Sequence, residues 1–220
     1  MDPPNPNPFV PKTRDLKKLR AAASACEGCD LFRTAKQTVF GEGPPNARLM
    51  FVGETAGDQE DQAGKPFVGP AGRLLDQALA EIGIDRNTTY VTNIVKHFKW
   101  TPAGKRRLHS KPSSREIAAC FPWFLAEIES VRPDLIVCLG ATAAQALLGR
   151  SFRITRQRGQ ILESPRAARV IATYHPAAIL RAPDDNRRQA MRDEFISDLR
   201  LAAAQLATSP KLRKRAPERA

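Results

Sequence analysis

The sequence predicts an α/β fold, a three-layer αβα sandwich around a four-stranded, mostly parallel sheet. Four short apolar runs, Ala47 to Gly53, Thr89 to Val95, Leu135 to Gly140 and Val170 to Tyr174, recur with helix-length segments between them. Each run is β-branched or continuously apolar, the pattern of strands covered on both faces. The intervening segments carry the spacing of helices with one apolar side. Strand, helix and strand in that order close as right-handed parallel units.

Each element has its own local signal. Prolines at positions 3, 4, 6, 8 and 11 prevent Met1 to Pro11 from pairing as a strand or packing as a helix, so residues 1–13 are expected to be a disordered lead-in. Asp15 to Ala25 reads as a short helix delivering Cys26, after which the chain turns through Gly28 into Cys29. Behind the first strand, Leu74, Leu75, Ala78, Leu79 and Ile82 mark one apolar helix face. Ser113 with Glu116 forms the capping-box start of the next helix, which carries Ile117, Phe124, Leu125 and Ile128 and in which Pro122 should place a kink. Thr142 to Leu148 is a third helix, and Arg187 to about Leu206 a last one with Phe195, Leu199 and Leu206 inward. Residues 14–207 are thus expected to be one domain, followed by a basic, disordered tail over 208–220.

Composition narrows the function classes. With 42% apolar and 26% charged residues, the 220-residue chain suits a soluble α/β domain, and no stretch approaches the roughly 18 consecutive apolar residues of a membrane span. No charged segment followed by an apolar one opens the chain, so a cytoplasmic protein is expected, and its four cysteines read as ligands or core residues rather than a secreted disulfide framework. The net charge of +12 implies a polyanionic partner, and its distribution says where contact occurs. Residues 1–20 contribute +3, residues 211–220 contribute +4, and residues 96–111 contribute +6, leaving the remainder at −1. The basicity of the folded part therefore lies in one loop, holding Lys105, Arg106 and Arg107, which is expected to contact phosphates.

Sites in parallel sheets lie beyond the carboxyl ends of the strands. That rule gathers Glu54 from the first strand, Asn93 from the second and His175 from the fourth. Gly53 and Gly57 on either side of Glu54 allow a tight turn whose amides can face an anion or a carbonyl oxygen. Taken singly, Glu54 also suits a plain exposed turn, Asn93 a turn residue and His175 a capped core histidine. The other two histidines, His97 and His109, flank the basic loop, so all three fall near one rim. From spacing alone, His109 is equally a phosphate contact, a solvated bystander or a nucleophile activated by a carboxylate such as Glu54.

Cys26 and Cys29 form a Cys-x-x-Cys pair, but Cys120 and Cys138 stand apart, so the paired spacing of a zinc ribbon is absent. An iron-sulfur cluster tolerates scattered ligands and accepts histidine in place of cysteine. Cys138 lies in a strand expected to be buried on both faces, where cysteine behaves as a small hydrophobe. His97 leaves the second strand where it can meet Cys120, which makes Cys26, Cys29, His97 and Cys120 the expected ligand set.

Several motifs together carry a resemblance. They are Gly53-Glu54-Thr55-Ala56-Gly57-Asp58, Gly64-Lys65-Pro66-Phe67-Val68-Gly69-Pro70-Ala71-Gly72, Val91-Thr92-Asn93, Leu139-Gly140-Ala141-Thr142-Ala143 and His175-Pro176. From about Cys26 to Leu201 the sequence resembles the uracil-DNA glycosylase superfamily, specifically its bacterial iron-sulfur branch and the X-type members that crosslink to uracil-containing DNA. The resemblance implies a 4Fe-4S cluster, with His97 at a position where ordinary iron-sulfur members have a cysteine. It implies that Phe67 stacks on a flipped uracil, that Asn93 reads its edge with Gly53 and Thr55 beside it, and that His175 stabilises charge on O2. Glu54 would support the cationic sugar and help His109 attack C1′. A DNA substrate, a monomer and no membrane partner complete that expectation. An ordinary glycosylase that turns over and a noncatalytic module that binds damaged DNA are the alternatives. Thr55 and Ala56 depart from the glutamine and proline that follow the glutamate in the nearest relatives.

Overall fold

The structure is a computed structural model, and it describes residues 7–208. Its strands are β1 (Leu49–Thr55), β2 (Tyr90–Val95), β3 (Trp100–Ala103), β4 (Arg106–His109), β5 (Leu135–Leu139), β6 (Ile161–Ser164) and β7 (Ala167–Thr173). Its helices are α1 (Leu16–Ala23), α2 (Asp58–Ala63), α3 (Pro70–Glu81), α4 (Ser114–Val131), α5 (Ala141–Leu148), α6 (Ile154–Gln157), α7 (Pro176–Leu180) and α8 (Asp185–Thr208).

The four expected strands are β1, β2, β5 and β7, and they pair with one another in parallel. The sheet order is β2-β1-β5-β7-β6, so the sheet has five strands rather than four. The added strand, β6, lies antiparallel on β7 at the edge. An edge strand needs no continuous apolar run, and Ile161-Leu162-Glu163-Ser164 is half exposed, which is why its sequence reads as a connection. The second difference lies in the basic segment. It is a hairpin rather than a loop: β3 and β4 pair antiparallel, Trp100 opposite His109 and Ala103 opposite Arg106. Gly104 turns it at φ +59°, and Pro102 is tolerated because β3 is an edge of a two-stranded ribbon.

Alternation along the strands builds two cores. Met50, Val52, Ile136 and Cys138 face the layer of α1, α4 and α5, with Leu19, Trp123 and Ala143. Leu49, Phe51, Leu135 and Val137 face α3 and α8, with Leu75, Leu79, Phe195 and Leu199. Each such buried Leu or Phe contributes about 1.5–3 kcal/mol, and the two cores together fix the rim on which the site stands. Cys138 is wholly buried among apolar residues, and that burial pushes its thiol far up, as a small hydrophobe requires.

The capping box at α4 forms as the sequence indicates: Ser113 Oγ accepts the Glu116 amide, and Glu116 Oε2 accepts the Ser113 amide at 2.6 Å. The helix continues through Pro122 to Val131. Within the expected lead-in, Asn7 donates to the Ala119 carbonyl of α4 at 2.8 Å. Residues 1–6 and the tail from 209 onward lie outside the described residues. Among the described residues no helix is long and apolar enough to cross a membrane.

Candidate active site

The carboxyl edge of the sheet brings the chemistry together. Gly53 on β1 stands opposite Asn93 on β2. A β-carbon at Gly53 would lie 2.3 Å from Asn93 Oδ1 and 2.7 Å from Phe67 Cζ, so only glycine lets that amide and that ring approach each other. Asn93 is 2% exposed and its Oδ1 has no hydrogen-bond partner. An unpaired buried acceptor costs about 1–3 kcal/mol, which marks this oxygen as a group awaiting a donor.

Phe67 enters from the loop between α2 and α3 at φ +56°, an uncommon backbone state for a bulky residue. Gly72 permits that turn, since a β-carbon there would sit 1.8 Å from the Phe67 carbonyl. The Phe67 ring stacks on His175 with centroids 6.0 Å apart and planes at 29°. Glu60, absent from the sequence expectations, straps this loop to the first one: its carboxylate accepts the amides of Gly57 at 3.1 Å and Gly69 at 2.8 Å. The signal that could have found it is its position as the third residue of α2, where a carboxylate closes a capping box.

His175 caps α7. Its Nδ1 accepts the Ala177 amide at 3.1 Å, so the neutral ring carries its hydrogen on Nε2. Burial, followed by Arg181 and His109, lowers its pKa to about 4, which keeps the ring neutral near pH 7. Glu54 accepts the Thr142 hydroxyl from the start of α5. Its other carboxylate oxygen lies 3.9 Å from His109 Nε2. Burial lowers the pKa of His109, and Arg181 adds to that, while Glu54 opposes both. Glu54, Asn93 and His175 therefore meet at the rim as expected, and the hairpin adds His109. Thr55 behaves differently. Its side chain is buried and its hydroxyl donates to the His97 carbonyl at 2.8 Å, which turns it away from the opening.

The three basic residues of the hairpin divide. Lys105 and Arg106 are exposed. Arg107 is turned inward: Nη1 meets Asp61 Oδ2 at 2.6 Å and Nη2 meets Asp58 Oδ1 at 2.5 Å, both on α2. Its guanidinium also lies over Phe98 and Trp100. Asp61 is fully buried, so Arg107 neutralises a charge in the fold and latches the hairpin to α2.

Away from the rim, three thiols share one region. Trp123 Nε1 donates to Cys26 Sγ at 3.2 Å, and the Lys96 amide donates to Cys120 Sγ at 3.2 Å. Cys120 is pushed up to about 12 by burial, with Cys29 and Cys26 adding to the rise and Lys96 opposing it. His97 lies beside Thr38, its Nε2 2.9 Å from Thr38 Oγ1. The Thr38 hydroxyl donates to the Ala23 carbonyl at 2.9 Å, so it accepts from His97, and His97 Nδ1 keeps a free lone pair. Burial lowers the pKa of His97 against the opposing pull of Asp61, which favours the neutral ring. Among the described residues no three such groups converge tightly enough for a single ion. The thiols of Cys26 and Cys120, each with an N–H donor on its sulfur, have the chemistry of iron-sulfur ligands.

Residues 40–200 match the Uracil DNA glycosylase superfamily. The chain is similar to the Type-4 uracil-DNA glycosylase of Pyrobaculum aerophilum, 36% identical over 192 residues that cover 84% of this chain and 91% of that protein. It is similar to the enzyme of the same name from Archaeoglobus fulgidus, at 38% over 80% of this chain and 85% of the relative. The corresponding Thermotoga maritima protein is 39% identical over 80% of this chain and 87% of its own length.

Proposed function

We propose, since this chain belongs to the uracil DNA glycosylase superfamily, that it is a DNA glycosylase that excises uracil and then holds the abasic sugar covalently on His109. The observation that carries the second half is His109 Nε2 standing 3.9 Å from the Glu54 carboxylate at the rim that holds Asn93 and His175. Residues 14–207 would act as one domain, as a monomer, on uracil-containing DNA.

The residues divide the chemistry as follows. A uracil flipped from the stack enters the space bounded by Gly53, Phe67 and Asn93. Phe67 stacks on its face, and the unpartnered Asn93 Oδ1 accepts the uracil N3–H, a hydrogen that cytosine does not carry. As the bond from C1′ to N1 breaks, its electron pair moves into the base and charge grows on O2. His175 Nε2–H donates to that oxygen without a proton having to move first. Glu54 opposes the positive charge growing on the sugar. The neutral His109 ring then forms a bond from a nitrogen lone pair to C1′ and sheds its remaining N–H proton to solvent. Lys105 and Arg106 hold the DNA backbone, while Arg107 holds the hairpin. Thr55 contributes its backbone rather than its hydroxyl.

Cys26, Cys29, His97 and Cys120 would hold a 4Fe-4S cluster. When bound, the cluster supplies a crosslink between the segment after α1, the segment after β2 and α4, and its binding keeps the thiols deprotonated.

Denaturing electrophoresis with a uracil-containing oligonucleotide tests the proposal. A shifted band that survives heat and SDS is expected, and His109→Ala should abolish it while uracil is still released. More than one abasic product per enzyme with no such band would instead make the protein an ordinary turnover glycosylase. Uracil-DNA left intact by excess protein would make it a binding module.

A further inference from the structure

Three residues beyond Asn93 the chain places a lysine that turns back beneath it. The Lys96 and Glu127 side chains are 1% and 0% exposed, and they form an ion pair in the core between β2 and α4. All three hydrogens of the ammonium are used: they go to Glu127 Oε2, to Thr92 Oγ1 at 2.7 Å and to the main-chain carbonyl of Asn93 at 2.7 Å. Glu127 is held from its other side. Its Oε1 accepts the Gly41 amide at 2.9 Å and the Tyr90 hydroxyl at 3.0 Å, and Thr92 Oγ1 lies 2.9 Å from Oε2. A β-carbon at Gly41 would lie 2.3 Å from Glu127 Oε1, so it is the glycine that lets the backbone come close enough to donate to the carboxylate.

A buried ion pair is poorly explained by stability, because desolvation takes back most of the attraction and an apolar pair of equal volume often does as well. An apolar pair, however, cannot grip a carbonyl. β2 ends at Val95, two residues after Asn93, and near that end the ammonium adds a side-chain hydrogen bond that fixes the Asn93 peptide. The same lysine ties its own amide to Cys120 Sγ, so one residue braces the end of β2 at both its backbone and its side chain.

We propose that Lys96 and Glu127 are positioning residues for uracil recognition: the glutamate aims the ammonium, and the ammonium sets the Asn93 peptide so that its side chain faces the base edge. The inference rests on the reading in which Asn93 receives uracil. Neither residue touches the base, and both act through Asn93. Small misplacements of a hydrogen-bonding group are costly: displacement by about 1 Å can reduce rates about 100-fold.

The test is the double variant Lys96→Met with Glu127→Gln, which leaves no unpaired buried charge. Single-turnover excision from a uracil-containing oligonucleotide should fall about 10-fold or more, and free uracil should inhibit about 10-fold less well. Affinity for an oligonucleotide carrying an abasic-site analogue should stay within about twofold, a split that general loss of structure would not produce. A folded double variant with wild-type excision and wild-type uracil inhibition overturns the inference. Should that variant fail to fold, Thr92→Val decides, since it removes one acceptor and keeps the pair: weaker uracil affinity supports the assignment and unchanged affinity overturns it. If the wild-type protein leaves uracil-DNA intact, the functional reading itself fails, and binding of free uracil by calorimetry still tests the positioning role.

Discussion

The rim of the parallel sheet and the β3–β4 hairpin carry the two halves of the proposed reaction, and they are built in opposite ways. Asn93 and Phe67 on the rim are 2% and 5% exposed, held by strand register, two obligate glycines and the Lys96–Glu127 pair. The His109 side chain on the hairpin is 45% exposed, and its two-stranded ribbon would be marginal in isolation. Arg107, paired with two aspartates of α2, and Trp100, whose Nε1 donates to the Thr34 carbonyl at 3.1 Å, hold that ribbon to the body of the protein. In the proposed reaction, base recognition rests on a buried edge of the sheet, whereas capture of the sugar rests on an appended, half-exposed ribbon that Arg107 helps to hold. The two should be separable by mutation.

The largest effect should come from the rim. His175→Ala removes the neutral Nε2–H donor aimed at developing charge, and single-turnover excision should fall about 100- to 1000-fold, with adduct formation falling in parallel because excision precedes it. Affinity for abasic-site DNA should hardly change. If adduct forms at the wild-type rate in this variant, His175 is not the donor and the proposed order of steps is wrong.

An intermediate effect should come from the latch. Arg107→Met leaves buried Asp61 with its charge and, among the described residues, only the amides of Lys36 and Gln37 as side-chain partners. Loss of about 1–3 kcal/mol of stability is expected, as for an uncompensated buried group, measured by chemical denaturation. Adduct yield should fall about 10-fold, in line with misplacement of a nucleophile, while uracil release stays within about twofold. Equal losses in both steps would show that hairpin and rim form one unit, and would break the comparison.

The sequence makes the rim far more legible than the hairpin. Four parallel strands announce themselves because both faces are covered, and the rule that sites lie at carboxyl ends then gathers Glu54, Asn93 and His175 without any contact being known. β6 and the hairpin strands lack that signal, since each has an exposed face or edge and carries charged residues. Arg107 is legible as a cation but not as a latch, because its partners Asp58 and Asp61 lie more than 40 residues away and their pairing exists only once α2 packs on β4. Glu127 had a signal that could have been read: with Phe124, Ile128 and Val131 it falls on the apolar side of α4, where a carboxylate requires a partner. That the partner is Lys96, and that the lysine also holds Asn93, depends on tertiary packing alone.

The smallest effect should come from the exposed tip of the hairpin. Lys105 and Arg106 are exposed and, among the described residues, form none of the ion pairs that occupy Arg107, so each should neutralise about one phosphate when DNA binds. Replacing either with Ala should weaken binding uniformly across sequences and reduce the slope of log affinity against log salt by roughly 0.7–0.9, measured by fluorescence anisotropy over a salt series. Arg107→Met should leave that slope nearly unchanged if its guanidinium stays with the two aspartates in the complex. A slope that falls as much for Arg107 as for its neighbours would mean that the latch opens on DNA. The hairpin would then be repositioned by the substrate rather than set in advance.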